Sequence, residues 1–225
     1  MDEKLKKIAA YSFNQLKNDQ TGHGADHTKR VVQLATDILA TEPTANREIT
    51  LAAAYLHDTI DDKVVSDEEQ AKKELVTFLK AIDLTEHQIT AIFAIIENMS
   101  FSKSLGENAK ELTIEGKIVQ DADRLDALGA IGILRTAYFG GGHGHPIHDP
   151  EMLPQTYVNK TDYRKGSTVI NHFYEKLFLL PAQMNTVYGK AEAQRREQFM
   201  RDFLKEFYHE WENTSDSLSK RENVN

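Results

Sequence analysis

The chain contains no cysteine, which removes thiolate zinc sites, iron–sulfur clusters, disulfide frameworks and cysteine nucleophiles together. It also lacks a basic excess, since 27 Lys and Arg stand against 35 Asp and Glu for a formal charge of −8. A protein whose main partner is DNA or RNA needs a basic face to displace counterions, so no nucleic-acid partner is expected. No apolar run approaches the roughly 18 residues of a membrane span, and the opening MDEKLKKIAAYSF is amphipathic without a signal-peptide core. The expectation is a cytoplasmic protein with no membrane partner. Period-two alternation is scarce, and neither an internal repeat nor a Ser/Gly linker divides the 225 residues. What remains is a single domain over 1–212, followed by a polar tail over 213–225. A chain of this length buries roughly 70% of its unfolded surface and needs no staples.

Helical periodicity fills most of that length. Apolar residues recur three and four apart in Leu5, Ile8, Ala9, Phe13 and Leu16, and again in Val31, Leu34, Ala35, Ile38 and Leu39. Glu48 to Leu56 is apolar on nearly every side, the pattern of a helix inside a bundle, and it ends in His57 and Asp58. Further helices are expected over Asp67–Leu79, Glu86–Ile96, Glu115–Phe139, Lys165–Leu180 and Ala191–Trp211. Ser100–Ala109 and Gly140–Pro154 break the pattern; the second holds GGHGHP and three prolines and reads as a long loop, a lid or a binding segment. From about Asn213 the chain is polar and patternless, and a frayed end is expected. The fold class is all-α.

Three separated pieces carry chemistry: His27 in GHGADHTKRV, His57-Asp58 in AAYLHDTIDD, and Asp123 in VQDADRLDALG. A carboxylate at the end of the most apolar helix is costly to bury unless a cation or hydrogen bonds compensate it. Asp121, Asp123 and Asp126 are read as opening an amphipathic helix, where one acid serves as a cap and three exceed that need. Two imidazoles and two carboxylates suit a divalent ion of intermediate hardness, with positions left for water and a phosphate oxygen. Arg30, one turn after His27, meets either a phosphate or a structural acid such as Asp58 or Asp121, and Arg124 and Arg135 offer the same choice. His23 precedes His27 by four residues and is a candidate phosphate contact, although the glycines of GHGAD argue against a regular helix there. Lys176, four residues after His172, is a further phosphate candidate, with Lys160, Tyr163, Lys165, Arg195 and Arg196 behind it. His143, His145 and His148 form a rival His-rich tract.

The order His27, His57-Asp58, Asp123, with the flanks HTKRV, HDTIDD and ADRLDALGAIGILR, resembles the HD-domain metal-dependent phosphohydrolase superfamily. It is similar to the branch of small bacterial HD hydrolases that includes a nucleotide pyrophosphohydrolase. The similarity runs from about His23 to Trp211. The resemblance implies a helical bundle with a central metal held by those four residues, and hydrolysis of a phosphoester or phosphoanhydride. It implies one divalent ion, Mn²⁺ foremost, with Mg²⁺, Co²⁺, Ni²⁺ or Fe²⁺ as alternatives. Asp61 and Asp62 correspond to an acidic pair that follows the HD motif in related members, where an acid orients or deprotonates the attacking water; the alternative is a pair of solvated loop acids. Two-metal members carry further histidines between the HD pair and the last Asp. Here that stretch holds only His87, with Glu97 or Asn98 at the later position, so a single metal is expected. A nucleoside triphosphate cleaved to monophosphate and pyrophosphate by metal-activated water is the foremost activity. Nucleotidase, cyclic-nucleotide phosphodiesterase, guanosine tetraphosphate hydrolase and a non-catalytic nucleotide sensor are the alternatives. The oligomeric state is left open.

Overall fold

The computed structural model describes residues 2–17, 24–61, 64–65, 67–99, 111–156 and 167–222, with side chains as far as Trp211. His23, Asp62, Lys160, Tyr163, Lys165 and the expected loop at Ser100–Ala109 lie outside those residues. Among the described residues there is no strand, and nine α-helices form the fold: α1 (Glu3–Gln15), α2 (Ala25–Leu39), α3 (Arg47–Leu56), α4 (Glu68–Ala81), α5 (Glu86–Ile96), α6 (Ile114–Asp126), α7 (Gly129–Gly142), α8 (Val169–Glu175) and α9 (Val187–Glu222). Among the described residues no helix is long and apolar enough to cross a membrane.

Most starts are set by a side chain that accepts from an otherwise orphaned backbone N–H. Asp2, Asn46, Asp67, Thr113 and Thr168 do this for α1, α3, α4, α6 and α8, and Thr85 forms a capping box with Gln88 at α5. The all-apolar segment behaves as its sequence requires. Every residue of α3 from Ile49 to Leu56 is buried, because α1, α2, α5 and α6 all pack against it. The mutual packing of α2, α3 and α6 makes the centre of the bundle, while α9 covers α6 and α7.

Three expectations are revised. The single helix over Glu115–Phe139 is two: α6 stops at Asp126, Gly129 turns the chain at φ +74°, and α7 leaves in a new direction. A left-handed residue is inexpensive only for glycine, and the Arg196 side chain and Met200 sulfur of α9 close over the corner. The break is tight: a Cβ on Gly132 would stand 2.2 Å from the Ala127 carbonyl oxygen. Secondly, α7 runs to Gly142, so the start of the expected Gly140–Pro154 loop is helical. Gly140 is buried against Val169, whose Cγ2 would lie 2.4 Å from a Cβ there. Thirdly, the helix expected over Lys165–Leu180 ends at Glu175. Lys176 leaves helical geometry (φ −140°, ψ −56°), and 3₁₀ turns follow at Leu177–Leu179 and Pro181–Gln183. The backbone of α9 continues past Asn213 to Glu222.

Candidate metal centre

The three sequence pieces meet where α2, the end of α3 and the last turn of α6 cross. His27 sits in the first turn of α2 and is fully buried; His57 caps the C-terminus of α3, and Asp58 follows in the tight turn. His57 Nε2 stands 3.1 Å from His27 Nε2 and 3.1 Å from Asp58 Oδ2. His27 Nε2 is 3.3 Å from Asp58 Oδ2 and 3.5 Å from Asp123 Oδ1, and His57 Nε2 is 3.9 Å from the same Asp123 oxygen.

The protons on both rings are fixed by their other nitrogen. His27 Nδ1 donates to Asp126 Oδ2 at 2.7 Å, and an ionised carboxylate can only accept. His57 Nδ1 donates at 2.8 Å to the Ala54 carbonyl, one of the orphan acceptors of the last turn of α3. In its neutral form each ring therefore points an Nε2 lone pair at the other and at two carboxylate oxygens. Four acceptors crowded in this way repel one another unless a proton or a metal cation sits between them. Two ligands about 2.1 Å from a shared ion and at right angles are about 3.0 Å apart, and a wider angle lengthens that edge, so the spacings fit a divalent ion. His27, His57 and Asp123 are the one such ligand group among the described residues.

The electrostatics report the same demand. Burial opposes a charged His57 ring, but the Asp58 and Asp123 carboxylates outweigh it and push the group up to about 9. His27 is raised as well, burial being overcome by hydrogen bonds to Asp126 and Asp58. The ends of α3 and α6 also turn their negative poles toward this point.

The acids of α6 do not open the helix, contrary to expectation. Thr113 caps it, and Asp121, Asp123 and Asp126 fall in its second half, where the helix dipole disfavours them. Each is compensated separately. Asp121, fully buried, accepts from the backbone N–H groups of Asn185 and Thr186 (2.9 and 2.8 Å), the Asn185 amide (2.8 Å) and the Thr186 hydroxyl (2.8 Å), so it ties α6 to the start of α9. Asp126 accepts from His27, Arg30 and Arg135. Asp123 is about one-third exposed and faces the two imidazoles.

For Arg30 the geometry favours the second of the two partners left open by the sequence. Nε and Nη2 grip Asp126 (2.7 and 3.2 Å) and Nη1 holds Asp26 (2.8 Å), so the acid is neither Asp58 nor Asp121. Arg124 donates to the Gln183 carbonyl and Arg135 to Asp126. Asp61 lies just beyond Asp58 in the same turn, its N–H on the Asp58 carbonyl at 3.2 Å. Lys176 is the C-cap of α8, close enough to His172 to act on its charge.

The remaining alternatives separate in space. His148 packs edge-on against Phe207, Tyr208 and Trp211, whereas His143 and His145 lie beside Phe139. His87 is exposed on α5. Glu97 pairs with Lys72 at 3.1 Å, and Asn98 donates to the Ala94 carbonyl. The role of Asp126 as the partner of His27 was not read from the sequence. A signal was present, however: His27 and Arg30 on α2 and Asp123 and Asp126 on α6 are both i, i+3 pairs, one face each.

Comparison with known proteins agrees with this geometry. The HD domain family model matches residues 24–128, which include all four converging residues. The Bacillus subtilis protein YpgQ is 33% identical over 205 residues, covering 91% of this chain and 92% of its own. A solved Lactobacillus plantarum protein is 44% identical with a TM-score of 0.84, covering 95% of this chain and 99% of that one. An HD-superfamily hydrolase from Bacillus thuringiensis is 38% identical with a TM-score of 0.73, over 93% of this chain and 97% of that one. The YpgQ structure in complex with ADP matches with a TM-score of 0.70 at 30% identity, over 92% of this chain and 97% of that one. This chain belongs to the HD-domain phosphohydrolase superfamily.

Proposed function

We propose that the protein is a nucleotide pyrophosphohydrolase that cleaves a nucleoside triphosphate to a monophosphate and pyrophosphate with one divalent ion, Mn²⁺ foremost. The observation that carries the reading is the convergence of His27, His57, Asp58 and Asp123 on one point with every other polar atom of the two imidazoles already engaged. Support for the substrate class comes from YpgQ, whose structure is a complex with ADP. Pairing of Glu97 with Lys72 favours one metal over two.

In this reading the four residues hold the ion, which supplies Lewis acidity to a phosphate oxygen and acidifies water. Asp61, with Asp62 next to it, orients the attacking water and takes its proton. His23 and Lys176 meet the phosphates, because a triphosphate needs more than one cationic partner. Arg30 reaches the substrate only through Asp126 and His27.

Product analysis tests the proposal. Metal-loaded protein is incubated with ribo- and deoxynucleoside triphosphates, and the products are resolved by ion-exchange chromatography beside Asp58→Ala and Asp61→Asn. The parent yields monophosphate and pyrophosphate, Asp58→Ala yields neither, and Asp61→Asn keeps its metal while turning over about 10²-fold more slowly. Inorganic phosphate and nucleoside from a monophosphate would move the assignment to a nucleotidase, and ring opening of a cyclic nucleotide to a phosphodiesterase. Tight nucleotide binding without turnover in any metal would make the protein a sensor.

A further inference from the structure

The buried carboxylate that two guanidinium groups grip is not one of the four converging residues. Asp126 is 1% exposed and takes four hydrogen bonds from three cationic or imidazole side chains. Oδ2 accepts from His27 Nδ1 (2.7 Å), Arg135 Nη1 (2.8 Å) and Arg30 Nη2 (3.2 Å), while Oδ1 accepts from Arg30 Nε (2.7 Å).

The broken helix is what makes this possible. Residues nine apart on a continuous helix are about 13.5 Å apart along the axis and on opposite faces, so Arg135 would point away from Asp126. The turn at Gly129 folds α7 back and lays Arg135 on the carboxylate. Arg30 arrives from α2, one turn beyond His27. Two guanidiniums for one carboxylate exceed what neutralisation requires; together they hold both oxygens in a fixed plane.

We propose that Asp126, clamped by Arg30 and Arg135, is a positioning residue that fixes the tautomer and ring plane of His27 and so aims its Nε2 at the metal. The inference rests on the metal reading of the cluster and extends it to residues that do not touch the ion. Ligating histidines are commonly oriented by a hydrogen bond at their other nitrogen, and loss of such a partner typically costs about 10- to 100-fold in metal affinity. Here the clamp also explains why an amide cannot substitute for the acid. With its nitrogen in place of Oδ2, an asparagine meets His27 Nδ1 with a donor and drives the proton to Nε2, the atom the ion needs. With its nitrogen in place of Oδ1, it opposes Arg30 Nε.

The test is a Co²⁺ titration of metal-stripped parent, Asp126→Asn, Arg135→Gln and Arg135→Lys, following the visible absorption band and the dissociation constant, with far-UV circular dichroism as the fold control. Asp126→Asn is expected to weaken Co²⁺ binding by about 10- to 100-fold and to change the shape of the band. Arg135→Gln should weaken it less, and Arg135→Lys should recover part of that loss. These band changes separate positioning from a purely structural role. Asp126→Asn and Arg135→Gln variants with the parent's affinity and band would overturn the proposal while leaving the metal reading intact. A parent that binds no Co²⁺ would overturn both. Should Asp126→Asn not fold, the Arg135 pair decides alone.

Discussion

Asp121 and Asp123 stand two residues apart on one helix, roughly 200° apart around its axis, and they end in opposite kinds of surroundings. Asp121 points to the start of α9, where two backbone N–H groups, an amide and a hydroxyl saturate it. Asp123 points to α2 and α3, where its neighbours are imidazole nitrogens whose protons are held elsewhere. The first region is complete as it stands, and in the second two imidazole nitrogens and two carboxylate oxygens from three elements converge. Burying a carboxylate is therefore not what marks a site in this protein. The mark is convergence of imidazole nitrogens and carboxylate oxygens from different elements on one point.

The largest effects should fall on the converging side. His57→Ala and Asp123→Ala are expected to abolish nucleotide hydrolysis while leaving the helical circular dichroism of the parent. Either variant turning over nucleotide at the parent rate would place the chemistry elsewhere.

The saturated side should respond in stability instead. Asp121→Ala strands buried donors at the α6–α9 junction and should cost about 2–4 kcal/mol, read as a lower urea midpoint. The folded variant should still bind one metal ion per chain, and loss of the ion in folded protein would erase the distinction drawn here.

A smaller effect concerns acid, and it separates loss of fold from loss of metal. Burial, with the charges of Lys176 and His145 nearby, pushes His172 down to about 3 from an ordinary value near 6.5. The folded state thus takes up its proton later than the unfolded state, so the contribution is intact above about pH 6.5 and is lost as pH falls toward 3. His172→Asn should flatten the urea midpoint between pH 6.5 and 4 without altering metal binding at pH 7.5. An unchanged acid limb would show that another group governs it.

Much of this was legible in the sequence because it depends on local pattern. Helical periodicity marked α1 to α5 within a few residues, and the all-apolar run before His57-Asp58 marked the central helix. The order of His27, His57-Asp58 and Asp123 named the residues that converge. What escaped depends on tertiary partners. Nothing local distinguishes a guanidinium destined for phosphate from one destined for a carboxylate, so Arg30 was readable only as a choice. The corner at Gly129 was hidden because ADRLDALGAIGILR keeps helical periodicity through it. Only the packing of α9 over Gly129 and the closeness of Gly132 to Ala127 require the turn. The acids of α6 were misplaced toward a helix start because the cap, Thr113, lies several residues upstream of them.

The most direct test of the central claim is the number of metal ions bound per chain, measured by equilibrium dialysis against Mn²⁺ followed by elemental analysis, for the parent and Asp58→Ala. The account predicts one ion in the parent and none in the variant. No ion in the parent, or an equal content in both, would contradict it.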